Sequence, residues 1–584
     1  MADALESIES PVQATAEFRR VAALERRSWT DEQKAAAAAH FTAELRQPGS
    51  TAELWPAQGM ALWEIARWRG AFCPIRVGGG KTLISMLAPT VLRSVRPLLV
   101  MPASLIEAKK REAKLERIHW KIPTFLTMVS YTYLTNERRA KFLESFEPDL
   151  IILDESHKAK NRSASVASRI ERYLRARQKA YQELLAAGWS PEQALAKAPI
   201  PSVVALTGTI TNRSLKDYAH ILNWCLGELS PAPRTRNDLE TWSEALDERK
   251  GRRNRPPGVL RSFATPDDGS GLDGVRKGYQ RRLRESYGVV TTREGFADMT
   301  LRIEKHDILL PQGIADHIQN TYEQGMAPDG WLLWDKLQIW QVVRQLSQGF
   351  YYEWQPRPPD EWMQKRYRWG VSVRYLARYN KRELDTELQI ARAVAAGYYD
   401  RTSIPDYGIE SIGETYHDWL AIRDTFTPNP VPVWLDHFLL EKAGRWLNKH
   451  KGVCWVGHRA VGDELSRLTG LAFFSDQGTD ASGRMIESAP GSESVIASIA
   501  SSGTGRNLQQ WSRGLVIDPS INGEGWEQLL ARKHRPGQKA DEVVFDAWFG
   551  PDAHRQSFEQ ALADARYAES TTGLEAKLLH CDIV

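Results

Sequence analysis

Two blocks of short apolar runs, each alternating with helix-like segments, constrain this chain more than any other feature. In the first block, Pro97-Leu98-Leu99-Val100-Met101-Pro102 and Asp149-Leu150-Ile151-Ile152-Leu153 lack the polar alternation of a half-exposed strand. Such runs suit strands covered on both faces of a parallel sheet. Helical spacing is read at 83–95, 107–117 and 137–146, with another strand at 124–129 and one at 202–206. The second block starts near Trp434, with a helix at 436–450 and strands at 452–457, 494–499, 514–517 and 542–548. This alternation predicts doubly wound α/β layers, in which ligands sit at the carboxyl ends of strands.

At 584 residues the chain exceeds what one hydrophobic core usually serves, so several domains are expected. The patterning divides it into an accessory helical arm at 1–50, a first α/β unit at 51–228, an inserted, mostly helical or irregular and basic region at 229–430, a second α/β unit at 431–550 and a tail at 551–584. Net charge is only +4, which permits a nucleic-acid partner without arguing for one. Local clusters matter more: 249–255 and 276–284 are rich in Arg and Lys, and read either as solvated loops or as salt-sensitive phosphate contacts. The block 331–379 is dense in Trp, Tyr and Arg; most of its aromatics are expected in the core, and a few could stack on unpaired bases. The four cysteines are far apart with no CxxC pair, which argues against zinc or disulfides and suits a reducing cytosol. No run approaches the roughly 20 apolar residues of a membrane span, so no membrane partner is expected.

Chemistry concentrates at two strand ends. Gly78-Gly79-Gly80-Lys81-Thr82 can close backbone N–H groups around phosphates, with the Lys81 ammonium on the outer phosphates and the Thr82 hydroxyl on Mg²⁺. Ile75 stands where the full phosphate-loop pattern has glycine. Asp154-Glu155 follows the apolar run at 149–153; Asp154 can hold Mg²⁺ and Glu155 can orient or deprotonate an attacking water.

The order of short motifs resembles the superfamily-two helicases, in particular the Swi/Snf-like branch, over about 54–225 and 434–548. Leu54-x-Pro56-x-Gln58 is similar to the adenine-reading Q motif, 77–82 to motif I, 100–105 to motif Ia, and 154–157 with Lys160-Asn161 to the branch's extended motif II. The segment 205–212 is similar to motif III, with Ile210 in place of proline. In the second block, 454–459 resembles motif IV, 501–508 motif V, and 528–538 motif VI with Ala531 in place of glycine.

The resemblance implies two RecA-like lobes of the P-loop NTPase type, an ATPase using ATP and Mg²⁺, and DNA as partner, duplex in preference. The implied roles are catalytic for Lys81, Asp154, Glu155, Arg532 and Arg535. Nucleotide binding falls to Gln58, Gly78, Gly79, Gly80, Thr82, Gly503, Gly505 and Gln528, and coupling between lobes to His157, Thr207 and Thr209. Contacts to the nucleic-acid backbone fall to Pro102, Ser104, Lys160, Asn161, Ser501, Thr504 and Asn507. It further implies a monomeric bacterial or bacteriophage translocase in the bacterial cytoplasm, with a phage or bacterial partner protein left open. Two alternatives stay open: a strand-separating helicase on single-stranded DNA or RNA, and an ATP-gated clamp with little turnover.

Overall fold

The computed structural model describes residues 10–75, 79–160, 165–208, 214–247, 254–291, 299–330, 333, 336–379, 384, 387–427, 429–502, 506–535, 538–572 and 575–584. Five strands, β1 (Ala71–Pro74), β2 (Pro97–Met101), β3 (Thr127–Ser130), β4 (Leu150–Asp154) and β5 (Ser202–Thr207), form one sheet in the order β1-β5-β4-β2-β3. Every neighbouring pair is parallel. Parallel strands need crossovers, and the helices that provide them bury both faces, which is why β2 and β4 are apolar at almost every position.

β6 (Thr300–Asp307) opens the second sheet, and β7 (Phe350–Trp354) pairs antiparallel with β8 (Pro430–Trp434) as a separate two-stranded ribbon. β9 (Val453–Val456), β10 (Phe473–Phe474), β11 (Val495–Ser498), β12 (Arg513–Val516), β13 (Glu542–Phe549) and β14 (Asp582–Ile583) complete the second sheet in the order β10-β11-β9-β12-β13-β6-β14. It too is parallel throughout. The fold is therefore mixed α/β, built on a five-stranded and a seven-stranded parallel sheet.

The divisions read from sequence are redrawn. The helix Asp31–Leu45 is no loose arm: it buries Ala37, Ala38, Phe41 and Leu45 against the helix Pro56–Trp68. The two backbones approach so closely that a Cβ on Gly59 would lie 2.2 Å from the Ala38 nitrogen. The region 229–430 is not one insertion. Trp242, Leu260, Phe263, Tyr279 and Leu283 join the core on one face of the first sheet, while β6 pairs with β13 along its whole length. Nor is 551–584 a tail, because Phe558, Ala561 and Ala565 of the helix Asp552–Thr572 enter the second core and β14 pairs with β6. The helix-like stretch at 137–146 breaks into a single 3₁₀ turn and the short helix Phe142–Phe146.

The basic run at 276–284 is the end of a helix, Gly271–Arg284, rather than a solvated loop. Its Arg276 donates to the Leu246 carbonyl at 2.7 Å, Arg281 pairs with Asp268 at 2.7 Å, and Arg282 is buried against the carbonyls of Val21, Ala22 and Leu24. Of the basic run at 249–255, only Asn254 and Arg255 are among the described residues; Arg255 pairs with Glu244 at 2.7 Å. In the aromatic block, Trp362 and Trp369 are buried as core residues. The helix Lys336–Leu346 docks on the second sheet through Arg344, whose guanidinium meets the fully buried Asp518 just beyond β12. All four cysteines are free. Among the described residues, no helix is long and apolar enough to cross a membrane.

Candidate active site

The glycine turn follows β1 directly, and the helix Lys81–Leu92 starts at its end. Gly80 has φ +76°, a left-handed conformation that glycine adopts without strain. A Cβ there would stand 2.2 Å from the Gln58 amide nitrogen. Gln58 is buried, donating from Nε2 to the Gly80 carbonyl at 3.3 Å and accepting at Oε1 from the Trp55 N–H at 2.8 Å. Both ends of its amide are therefore bound to backbone, and the side chain braces the glycine turn rather than presenting an open edge to a base. Gly79 lies in the turn; Gly78 falls outside the described residues.

Lys81 is buried, and its Nζ donates to the Ile75 carbonyl at 2.9 Å. Burial lowers its pKa, opposed by Glu155 and Asp154 and reinforced by Arg532 and Lys109. A buried ammonium at a strand-to-helix turn is a strong attractor for phosphate oxygens. Thr82 receives its hydroxyl contact from the Lys109 ammonium, which also pairs with Glu112 at 2.9 Å. Both come from the helix Ile106–Glu116.

β4 delivers Asp154 at its last position, and Glu155 follows with φ 55°, an uncommon conformation for a residue with a side chain. The two neighbouring carboxyls have opposite environments. Burial raises Asp154 above its ordinary range, with Lys109 and Lys81 pulling against Glu155. Burial would raise Glu155 too, but Lys81, His157 and Arg532 bring it down to about 2. Glu155 is therefore firmly ionised and suited to orient a water more than to take its proton. Asp154 is held less firmly ionised than its neighbour, and the positive charge nearest to it comes from Lys109, which also contacts Thr82, and from Lys81. The other carboxylate–histidine cluster, Glu304, His306 and Asp546, is already compensated by Arg513, which binds Asp546 at 2.9 Å and Glu304 at 3.2 Å.

His157, one turn on, joins the two sheets. Its Nδ1 lies 3.3 Å from the Glu155 carboxylate and 3.3 Å from the Thr207 hydroxyl, at the end of β5. Its Nε2 lies 2.8 Å from Glu524 Oε1 and 3.3 Å from the Gln528 amide, both on the helix Gly523–Leu530 of the second half. Burial opposes protonation of this imidazole, but Glu524 and Glu155 outweigh it and hold its pKa above the ordinary value. Lys160 reaches the same Glu524 at 2.6 Å. Expected on the nucleic-acid backbone, Lys160 instead pairs across the two sheets, and Gln528, expected on nucleotide, contacts His157 and Glu524.

Arg532 is buried to 1 % exposure, donating from Nε to the Gln528 carbonyl at 2.9 Å and from Nη1 to the Arg506 carbonyl at 3.1 Å. Burial lowers its pKa to about 10 against the attraction of Glu155. Arg506 is itself buried and paired with Glu487 at 2.7 Å. Arg535 is only half-buried; burial lowers its pKa while Glu112, from the first half, opposes. Arg532 therefore shapes the turn of the second half, and Arg535 faces the first.

The expected backbone-contact residues are less unified. Pro102 precedes the turn Ala103–Leu105, which lies against Asp476–Gly478 of the second half. Asn507 is exposed and accepts from the Gln509 N–H at 3.4 Å. Asn161, Thr209, Gly503, Thr504 and Gly505 lie outside the described residues, as do the side chains of Ser104 and Ser501. Residue patterns missed Glu524, Lys109, Glu112 and Arg506. Glu524 lies four positions before Gln528, and Lys109 and Glu112 are three apart, so each shares a helix face with its partner.

A scan against models of known protein families finds no match to this chain, and neither does a search of curated proteins.

Proposed function

We propose that this chain is an ATP hydrolase whose two sheets are RecA-like lobes of the superfamily-two, Swi/Snf-like type, and that it couples ATP turnover to translocation along DNA. One observation carries the reading: Glu155, at the end of β4, is held ionised by Lys81 from the first half and Arg532 from the second, and its partner His157 is tied across the two sheets to Glu524 at 2.8 Å. Phosphoryl transfer needs positioned positive charge on both sides of the phosphate, supplied from preorganised groups.

In this mechanism Lys81 and the N–H groups at the start of its helix hold the outer phosphates. Glu155 accepts a hydrogen bond from the attacking water, and Arg535 approaches the opposite oxygens as a planar donor. Thr82 and Asp154 would hold Mg²⁺, which neutralises phosphate charge when bound. His157 relays the state of Glu155 to Glu524 and Gln528, so a change of charge at the phosphate is felt by the second lobe. Closure and reopening of the lobes then move two grips along the nucleic acid. The preference for duplex DNA over a single strand rests on the resemblance of 528–538 to motif VI of the Swi/Snf-like branch.

A second reading, the ATP-gated clamp with little turnover, is favoured by the Lys109 ammonium resting on the Thr82 hydroxyl, where a catalytic cation belongs. Phosphate release measured with duplex DNA, single-stranded DNA and RNA separates these readings. Stimulation by duplex alone, followed by displacement of a DNA triplex strand, supports translocation. Stimulation by single strands supports strand separation, and absence of turnover with all three supports the clamp.

A further inference from the structure

We propose that a second cleft, separate from the glycine turn, holds the phosphodiester backbone of a nucleic-acid strand; the ligand class rests on the reading above, but the site does not require ATP turnover. The cleft has a volume of about 740 Å³. Its walls are the segment at Arg27–Trp29, the helix Gly271–Arg284, the chain onward to Thr291 and the helix Asp552–Thr572. Neither Lys81, Asp154, Glu155 nor Arg532 lines it.

Six basic side chains line the cleft against three acidic ones. Much of this charge is internally met. Arg27 pairs with the buried Glu64, Lys34 with Asp31 at 2.7 Å and Arg281 with Asp268 at 2.7 Å, while the acidic Glu285 is met by Arg26 at 3.3 Å and Glu569 by His580 at 3.0 Å. Lys277 and Arg566 differ: both are exposed, and neither has an ion-pair partner among the described residues. They belong to different walls. Lys277 is on the helix whose Val275, Tyr279 and Leu283 pack into the first core, and Arg566 is on the helix whose Phe558, Ala561 and Ala565 pack into the second.

The walls are held in place without a ligand. The two helices pack along one another, and Gln280 donates to the Glu569 carbonyl between them. Two unpaired cations on two helices packed against each other, inside a concave and predominantly basic surface, concentrate positive potential where an anion can approach. Preformed walls remove the ordering cost of binding. The volume exceeds what one phosphate group needs, and successive phosphates along a strand can meet Lys277 and Arg566 in turn. A backbone held this way spans both halves of the molecule.

The test is fluorescence anisotropy of fluorescein-labelled duplex and single-stranded oligonucleotides, without nucleotide, between about 50 and 200 mM salt. The pair Lys277→Glu/Arg566→Glu is compared with Arg445→Glu/Lys451→Glu, an equal charge change elsewhere on the surface, and with the neutral pair Lys277→Gln/Arg566→Gln as a check on folding. The cleft pair is expected to lose about tenfold or more in affinity and to lower the slope of log K against log salt by about two. Affinity and slope equal to those of the control pair would overturn the proposal. So would displacement of the oligonucleotide by sodium tripolyphosphate at equal phosphate concentration, because the cleft would then be a site for isolated oligophosphate. If the wild-type chain shows no ATP turnover and the cleft pair still weakens binding, the cleft stands while the hydrolase reading falls.

Discussion

His157 Nε2 and Glu524 Oε1 lie 2.8 Å apart although the first sheet supplies one residue and the second the other. Each alters the other's protonation: the imidazole is held above its ordinary pKa of 6.5, and the carboxyl below its ordinary 4.5. The raised histidine contributes stability that is complete below pH 6.5 and is lost as pH rises through its folded value. The depressed carboxylate contributes stability that is present above pH 4.5 and is lost on acidification through its folded value.

Glu524→Gln removes the carboxylate from a contact buried on both sides. Breaking one partner of such a pair costs about 3 kcal/mol. Denaturant unfolding of wild type and variant across pH should give the largest difference between pH 4.5 and 6.5 and a smaller one above neutrality. A difference that stays flat from pH 4.5 to well above neutrality would assign the contact to Lys160 alone.

Arg535→Ala should reduce nucleic-acid-stimulated phosphate release by about a thousandfold, the order associated with an arginine supplied to a phosphoryl-transfer site. Binding of a fluorescent ATP analogue should change little. Normal hydrolysis in this variant would dissolve the two-sheet site.

Lys109→Met frees the Thr82 hydroxyl and removes a positive charge beside Asp154. The Mg²⁺ concentration giving half-maximal turnover should fall. As an independent readout, the Mg²⁺ enhancement of nucleotide binding should reach its midpoint at lower concentration. An unchanged midpoint in both would make Lys109 a bystander.

Gly59→Ala tests whether the helix Asp31–Leu45 belongs to the first core. The added methyl meets backbone atoms of Ala37 and Ala38, which cannot step aside as a side chain end could. Overpacking of this kind costs about 1–3 kcal/mol. A stability equal to wild type, read by denaturant unfolding, would mean that the two helices separate readily.

Much of the arrangement is legible in residue order because its signals are local. The apolar run at 150–153 is a strand because nothing in it can face water, and Asp154-Glu155 follows because charge cannot continue into the sheet. Three glycines before Lys81 mark a turn for the same local reason. What was illegible depends on distant partners. Nothing in Thr300–Asp307 announces that it lies between β13 and β14, since only Leu301 and Ile303 are apolar and its last four residues are all polar, as an edge strand's would be. The cationic run at 276–284 reads as a solvated surface, yet Arg282 is buried because three carbonyls near Val21 converge on it. Glu524 looks like a helix-face glutamate until His157 and Lys160 stand opposite it. Gln58 fits an adenine-reading pattern by position, but a neighbouring carbonyl and N–H already take both ends of its amide.

The strand order of the second sheet also sets a schedule for folding. β6 pairs on one side with β13 and on the other with β14, so a strand near position 300 waits for partners made more than two hundred residues later. Such long-range parallel pairing is slow, and it leaves strand edges open in the meantime. The first sheet has no such delay: its strands all lie between Ala71 and Thr207, and its surrounding core closes by about Val290. During synthesis the first half can therefore be finished while β6 is still a bare edge, and the second half completes last around a strand that was among its earliest parts.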